Sequence, residues 1–277
     1  MEHPLWITVI LNKLFGGAAL ALLAALHIQP ASREYPIPNH VSMEVLVFAL
    51  SVVFFLWLKG RISADRPGAT QQVMEMLLTN PMDVGIRDLV RQNIHDGDRY
   101  VPMIGTIGIF ILICNLISLI PTLQSPTADK SVPLGCATIV FIYYNYCGFA
   151  KHGPFGYAKH FLGPEMPMPG IVKWVLGVGL MLPIELFSHS FRLLSLTVRL
   201  WVNMMVSEIL YVIFLGLMLD VFLLLGKLSS VGYVSAILPL GVPLAFIGLH
   251  IFVGILQAFV FTILPVVYVA GAVAEQH

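Results

Sequence analysis

The chain has 277 residues, 58% of them hydrophobic and only 11% charged, with a mean hydropathy of +0.87. Soluble domains carry about 25% charged residues, so this composition excludes an ordinary soluble enzyme and points to an integral membrane protein with several spans. The formal net charge is zero, which removes any whole-chain electrostatic case for nucleic acid. The three cysteines, Cys114, Cys136 and Cys147, form no CxxC pair and read as small core hydrophobes.

Residues 1–40 read as an outer-side interfacial helix and a connector. Thr8, Asn12, Lys13, Gly16 and Gly17 share about half of a helix in the stretch 4–28, as in a helix lying on the membrane surface. A cleaved signal peptide is the competing reading, but no clear small-residue cleavage site follows the apolar run. Pro30, Pro36 and Pro38 make the connector extended. Residues 41–59 form a first transmembrane helix, closed by Lys59. Residues 60–100 form a cytoplasmic amphipathic segment. In it Met74, Leu77 and Leu78, then Ile86, Leu89 and Val90, recur at helical spacing on either side of a break near Pro81.

Residues 101–150 hold a transmembrane helix pair, separated after Pro121 by an outer loop, and the proline- and glycine-rich residues 151–170 form a cytoplasmic connector. Residues 171–277 contain two apolar stretches, 171–225 and 231–274, each far longer than the ~20 residues that cross a bilayer once. No polar turn interrupts either, so each reads as one strongly tilted helix, and the two as a hairpin broken at Gly226-Lys227-Leu228-Ser229-Ser230. The expected fold is an all-α integral membrane protein with five crossings plus interfacial amphipathic helices. Nine basic residues, Lys59, Arg61, Arg66, Arg87, Arg91, Arg99, Lys151, Lys159 and Lys173, mark the segments on one side. Lys13, Arg33, Lys130 and Lys227 lie on the other. The first side is therefore cytoplasmic, with the N-terminus outside and the C-terminus inside.

The stretch 183–208 breaks the apolar pattern. Glu185, Ser188, His189, Arg192, Ser195, Arg199 and Asn203 fall within an arc of roughly 120° on a helix. Polar groups at membrane depth are costly, and an arginine there costs from ~2.5 to over 10 kcal/mol. Arg199 stays protonated, so it attracts a carboxylate but does not relay protons easily. An internal salt bridge between helices is the simpler use of such an arginine. Glu185 lies about 21 Å toward the cytoplasmic end and Glu208 about 13 Å toward the outer end. Glu208 points roughly 140° off the stripe. On the following helix His250, Gln257 and Tyr268 share one face at spacings of seven and eleven residues. A carboxylate near a histidine is a reasonable proton relay in a membrane, while interhelical hydrogen bonding is the plainer use of each polar residue. His189 serves packing as readily as relay, and Arg192 has the length to snorkel. There is no metal-ligand spacing, Walker A loop or nucleophile elbow, so neither a metal nor a cofactor is expected.

At Arg199-Leu200-Trp201-Val202-Asn203, with Glu208 nine residues after the arginine, the sequence resembles subunit a of the F-type ATP synthases. Pro183-Ile184-Glu185 through Ser195-Leu196 is similar to that family's run into the arginine. Val242-Pro243 through His250, Leu256-Gln257-Ala258-Phe259 and Tyr268 resemble its last helix. Asn115-Leu116 through Pro121 and Pro126-Thr127-Ala128-Asp129 resemble its second span and outer loop. Val202, Val206, Leu193, Ser131 and Pro133 depart from the pattern, outside the polar core residues.

The resemblance implies a stator subunit packed against a ring of c subunits, held by peripheral-stalk b subunits in a bacterial inner membrane. It conducts protons and carries out no chemistry on ATP by itself. Arg199 would be the essential arginine. Glu208, His250 and Asn203 would line the outer half-channel, Glu185, Ser188 and Ser195 the cytoplasmic one, and Gln257 would sit at the ring interface. A self-contained secondary transporter and a purely structural assembly subunit are the rival functions. The first calls for internal repeats and broken midplane helices, and neither is visible. The second leaves the set Glu185, Arg199, Glu208 and His250 unexplained.

Overall fold

The computed structural model describes residues 4–29, 32, 34–63, 66–80, 83–120, 123–160, 177–228 and 241–274. Among these there is no strand. The helices are α1 (Trp6–Ala25), α2 (Asn39–Lys59), α3 (Ala69–Leu78), α4 (Ile86–Asn93), α5 (Val101–Leu116), α6 (Ser131–His160), α7 (Leu182–Leu228) and α8 (Gly241–Val273). A 3-10 turn, Ile117–Leu119, extends α5, and a π-helical turn, Gly177–Met181, precedes α7. Six of the described helices are long and apolar enough to cross a membrane. Five match the expected crossings, and α1 is the sixth.

The described chain divides into two compact units. The first comprises residues 1–71, 108–132 and 200–259. Its apolar core joins Ile7 of α1, Met43 and Val47 of α2, and Cys114 and Ile117 from α5 and its 3-10 turn. The polar side of α1 is spent inside the protein. The Asn12 side chain donates to the Ile37 carbonyl and accepts the Ile37 N–H, both at 2.9 Å. Asn39 Oδ1 accepts the Thr8 hydroxyl at 2.9 Å and the Leu5 N–H at 3.2 Å. The extended connector is thus pinned along α1, and Thr8 is buried. Trp6, Ile10, Leu14 and Phe15 are left exposed. Thr8 and Asn12 of that polar half are satisfied by protein while Lys13 is exposed, and the 20-residue helix also has the length and hydropathy to cross.

The second unit comprises residues 72–107, 133–199 and 260–277. The helical spacing at Ile86, Leu89 and Val90 marks a buried face of α4, and Gly105 of α5 lies against Ile86. Gly85 is needed just before α4, because a Cβ there would stand 2.5 Å from the Leu78 carbonyl oxygen. Arg87 and Arg91 both donate to the exposed Asp98, at 3.0 and 2.7 Å, and hold its carboxyl well below the usual carboxylate range.

Residues 151–160, expected as connector, are helical apart from Gly153, whose φ of 69° turns the chain out of the α6 path. The rest of that connector, 161–170, lies outside the described residues, as do residues 229–240 between α7 and α8. The expected break at 226–230 therefore begins no earlier than Ser229, since α7 continues through Leu228.

The 47 residues of α7 and 33 of α8 correspond to helices of about 70 and 50 Å, against a hydrocarbon layer of about 30 Å. Apolar helices of such length lie strongly oblique to the bilayer normal. Pro183 sits in the first turn of α7, directly after the π-helical turn. Pro265 inside α8 leaves the Phe261 carbonyl without its helical donor. In the first unit α7 and α8 run antiparallel. Ser207 meets His250, and further along α7 the Phe214 ring stacks on Phe246 with centroids 3.9 Å apart.

Candidate functional site

In the first unit the polar residues gather around His250, which is 2% exposed. Its Nε2 lies 2.8 Å from the Ser118 hydroxyl and its Nδ1 3.0 Å from that of Ser207. Both serines also reach a backbone carbonyl of their own helical turn, Ser118 that of Asn115 and Ser207 that of Met204. This cage accepts either protonation state. Around an imidazolium both hydroxyls donate to their carbonyls and accept a ring N–H. Around a neutral ring one hydroxyl turns its proton to the bare nitrogen. His250 can therefore take up and release a proton without stranding a polar atom.

Supporting contacts continue behind the cage. The Asn115 amide donates to the Gly254 carbonyl at 3.0 Å and accepts the Thr127 hydroxyl at 2.7 Å. Ser125 bonds Thr127 and the Cys114 carbonyl. α8 comes close to α5 at Gly254, where an added Cβ would lie 3.3 Å from the Asn115 Cβ, a tight contact.

Of the remaining expected residues of this unit, Asn203 and Glu208 lie on α7, whose buried face carries Leu200, Met204 and Ser207, and Gln257 lies on α8. Glu208 follows Ser207 and is half-buried, whereas Asn203 is exposed. The ring nitrogens of His250 go to serine hydroxyls, and Glu208 is the neighbour in sequence of one of those serines. Gln257 is buried, and its Oε1 has no hydrogen-bond partner among the described residues.

In the second unit the cluster centres on Glu185 and His189, one turn apart on α7. Glu185 Oε1 lies 3.3 Å from His189 Nε2 and 4.0 Å from Arg192 Nη2. The Tyr144 hydroxyl of α6 meets His189 Nδ1 at 2.8 Å. Arg192 stands over the Tyr268 ring of α8, 5.3 Å from its centroid, rather than acting alone. Ser188 is half-buried beside this group. Further along α7, Ser195 and Arg199 are both exposed, with Arg199 Nη2 at 3.4 Å from Ser195 Oγ. Among the described residues no carboxylate lies within 4.0 Å of the Arg199 guanidinium.

Sequence reasoning did not single out Ser118, Ser207, Ser125 or Tyr144 as functional. Two signals pointed toward them. Asn115 is an amide within an otherwise apolar span, with Ser118 one turn on. Ser207 follows Asn203 at i+4 and precedes Glu208.

Residues 41–270 match the family described as ATP synthase A chain. The ATP synthase subunit a of Koribacter versatilis is 37% identical over all of both chains. That of Solibacter usitatus is 40% identical over 96% of this chain and 99% of its own. The ATP synthase subunit a 3 of Pelobacter propionicus is 33% identical over all of both. With the match spanning most of its length, from the second helix to near the end of the last, the chain belongs to the ATP synthase A chain family.

Proposed function

We propose that this chain is the stator subunit of the membrane sector of an F-type ATP synthase, and that it carries protons through two offset half-channels to and from the carboxylates of a c-subunit ring. Family membership supports the role. The observation that carries the mechanism is Arg199, a permanent cation on an exposed face of α7 with no carboxylate of the described chain beside it. At membrane depth such a charge needs a counter-charge from another chain. A ring carboxylate supplies it only when ionised. Each carboxylate arriving at Arg199 therefore gives up its proton on one side and regains one on the other. The fixed cation also stops protons passing straight between the two paths.

In this reading Glu208, His250 and Asn203 line the outer half-channel, and the hydroxyl cage lets His250 change protonation state there. Glu185, Ser188 and Ser195 line the cytoplasmic half-channel. Gln257 stands at the boundary with the ring. The chain supplies the ion path, while the catalytic head handles ATP and b subunits of the peripheral stalk hold the stator in place. The complex sits in a bacterial inner membrane with the N-terminus of this chain outside and the C-terminus in the cytoplasm. One charge crossing the potential is worth about 2.3 kcal/mol per 100 mV, which the offset paths direct into rotation.

The test is Arg199→Ala in the intact complex. Proton-driven ATP synthesis in membrane vesicles is expected to vanish, with subunit and ring still present at normal levels. Synthesis at the unsubstituted rate would overturn the proposal.

A further inference from the structure

His189 is assigned to neither half-channel, yet it is buried, 6% exposed. Both ring nitrogens are engaged, Nδ1 by the Tyr144 hydroxyl at 2.8 Å and Nε2 by Glu185 Oε1 at 3.3 Å. Tyr144 is itself buried, with its ring centroid 5.6 Å from that of His189 and 5.8 Å from that of Tyr268. Among the described residues, the titratable and charged groups seen around His189 are Glu185 and Arg192 on its own helix, Tyr144 on α6, and Tyr268 on α8 behind Tyr144. Filling space at this position asks only for an apolar side chain, which would avoid the cost of desolvating an imidazole. The observed ring instead joins a group that can both give and take a proton to a carboxylate.

We propose that His189 is a proton-transfer residue working with Glu185, an inference that rests on placing Glu185 in the cytoplasmic half-channel. With Glu185 ionised and His189 neutral, Nε2–H donates to Oε1 and the Tyr144 hydroxyl donates to Nδ1. An incoming proton binds Nδ1 as Tyr144 turns from donor to acceptor, and the Nε2 proton passes to Oε1. Glu185 ends protonated and His189 ends as the Nδ1–H tautomer, donating to Tyr144. One proton has entered and none is lost, and the reverse sequence releases it.

The experiment compares His189→Gln, Tyr144→Phe and Glu185→Gln in the intact complex, in vesicles assayed for proton-driven ATP synthesis across cytoplasmic-side pH from about 6 to about 9. Glutamine keeps a polar side chain at position 189 but holds no exchangeable ring proton. His189→Gln is expected to slow synthesis about tenfold and to remove one titration from the pH profile. Tyr144→Phe is expected to displace the same titration with a smaller loss of rate. An assembled H189Q complex with unaltered rate and profile would overturn the role. Should H189Q fail to assemble, Y144F decides, and an unaltered profile there overturns it equally. Full activity in E185Q would instead overturn the placement of Glu185 itself, whatever H189Q does.

Discussion

A hydroxyl in a membrane helix commonly turns back on its own backbone, as Ser51 does on Val47, Ser190 on Leu186 and Thr197 on Leu193. Ser118 and Ser207 make the same local bond and also hold His250. Nothing in a single sequence separates the two kinds of serine, because the difference lies in which helix packs opposite. Charged residues are another matter. Arg199, Glu185 and Glu208 stand out in the sequence because the cost of a charge among apolar residues is itself a signal. The hydroxyl cage is open to test by Ser118→Ala and Ser207→Ala. Each leaves one ring nitrogen of a buried imidazole without its partner, at a cost of about 1–3 kcal/mol. Passive proton conductance of vesicles stripped of the catalytic head is expected to fall about threefold to tenfold in each single variant and further in the double. Unchanged conductance in the double variant would remove the cage from the proton path.

At the level of elements, the long helices were legible because apolar length alone separates α7 and α8 from a single crossing. Two local features were not legible. Sequence does not show that Asn12 of α1 holds Ile37 and that Thr8 holds Asn39. The helix after Gly153 was hidden by proline and glycine, which the chain accommodates with one residue at positive φ. The start of α6 has its own anchor. Asp129 accepts the Ser131 N–H at 2.9 Å and the Ser131 hydroxyl, and lies 3.6 Å from His40. Burial pushes its carboxyl up, but the Ser131 bonds and the nearby His40 and Lys130 charges outweigh this and leave it below its ordinary value. A depressed carboxylate stabilises above its unfolded value of about 3.9 and loses that contribution as pH falls through the lower folded value. Protection of the first turn of α6 against hydrogen exchange, taken relative to the intrinsic rate at each pH, is therefore expected to stay flat from neutral pH down to about 5 and to fall only below about 4. Asp129→Asn should speed exchange at neutral pH and abolish the acid step. If the step survives in D129N, another group anchors the turn.

For the whole chain the choice lies between a stator that works with a ring and a transporter complete in itself. A transporter of the second kind builds its ion site within its own fold, commonly from broken helices at the midplane. Here the helix that bears the arginine continues for 47 residues. Only 11% of an 18-residue apolar window within 179–220 is buried in the chain, against 50% of the corresponding window within 101–119. Leu194, Val198, Val206 and Ile213 are exposed along it, as is Arg199. Lipid alone covers apolar side chains well enough, but it does not neutralise a guanidinium. The exposed arginine therefore asks for a protein surface carrying carboxylates. Two measurements follow from that requirement. The purified chain alone, reconstituted in liposomes under an imposed potential, should show no proton flux above protein-free liposomes, whereas the intact membrane sector should conduct. An affinity-tagged chain extracted in mild detergent should bring down a c-ring and a catalytic head in constant ratio. Robust flux through the isolated chain, abolished by R199A, would assign the ion path to this polypeptide alone and make the ring unnecessary.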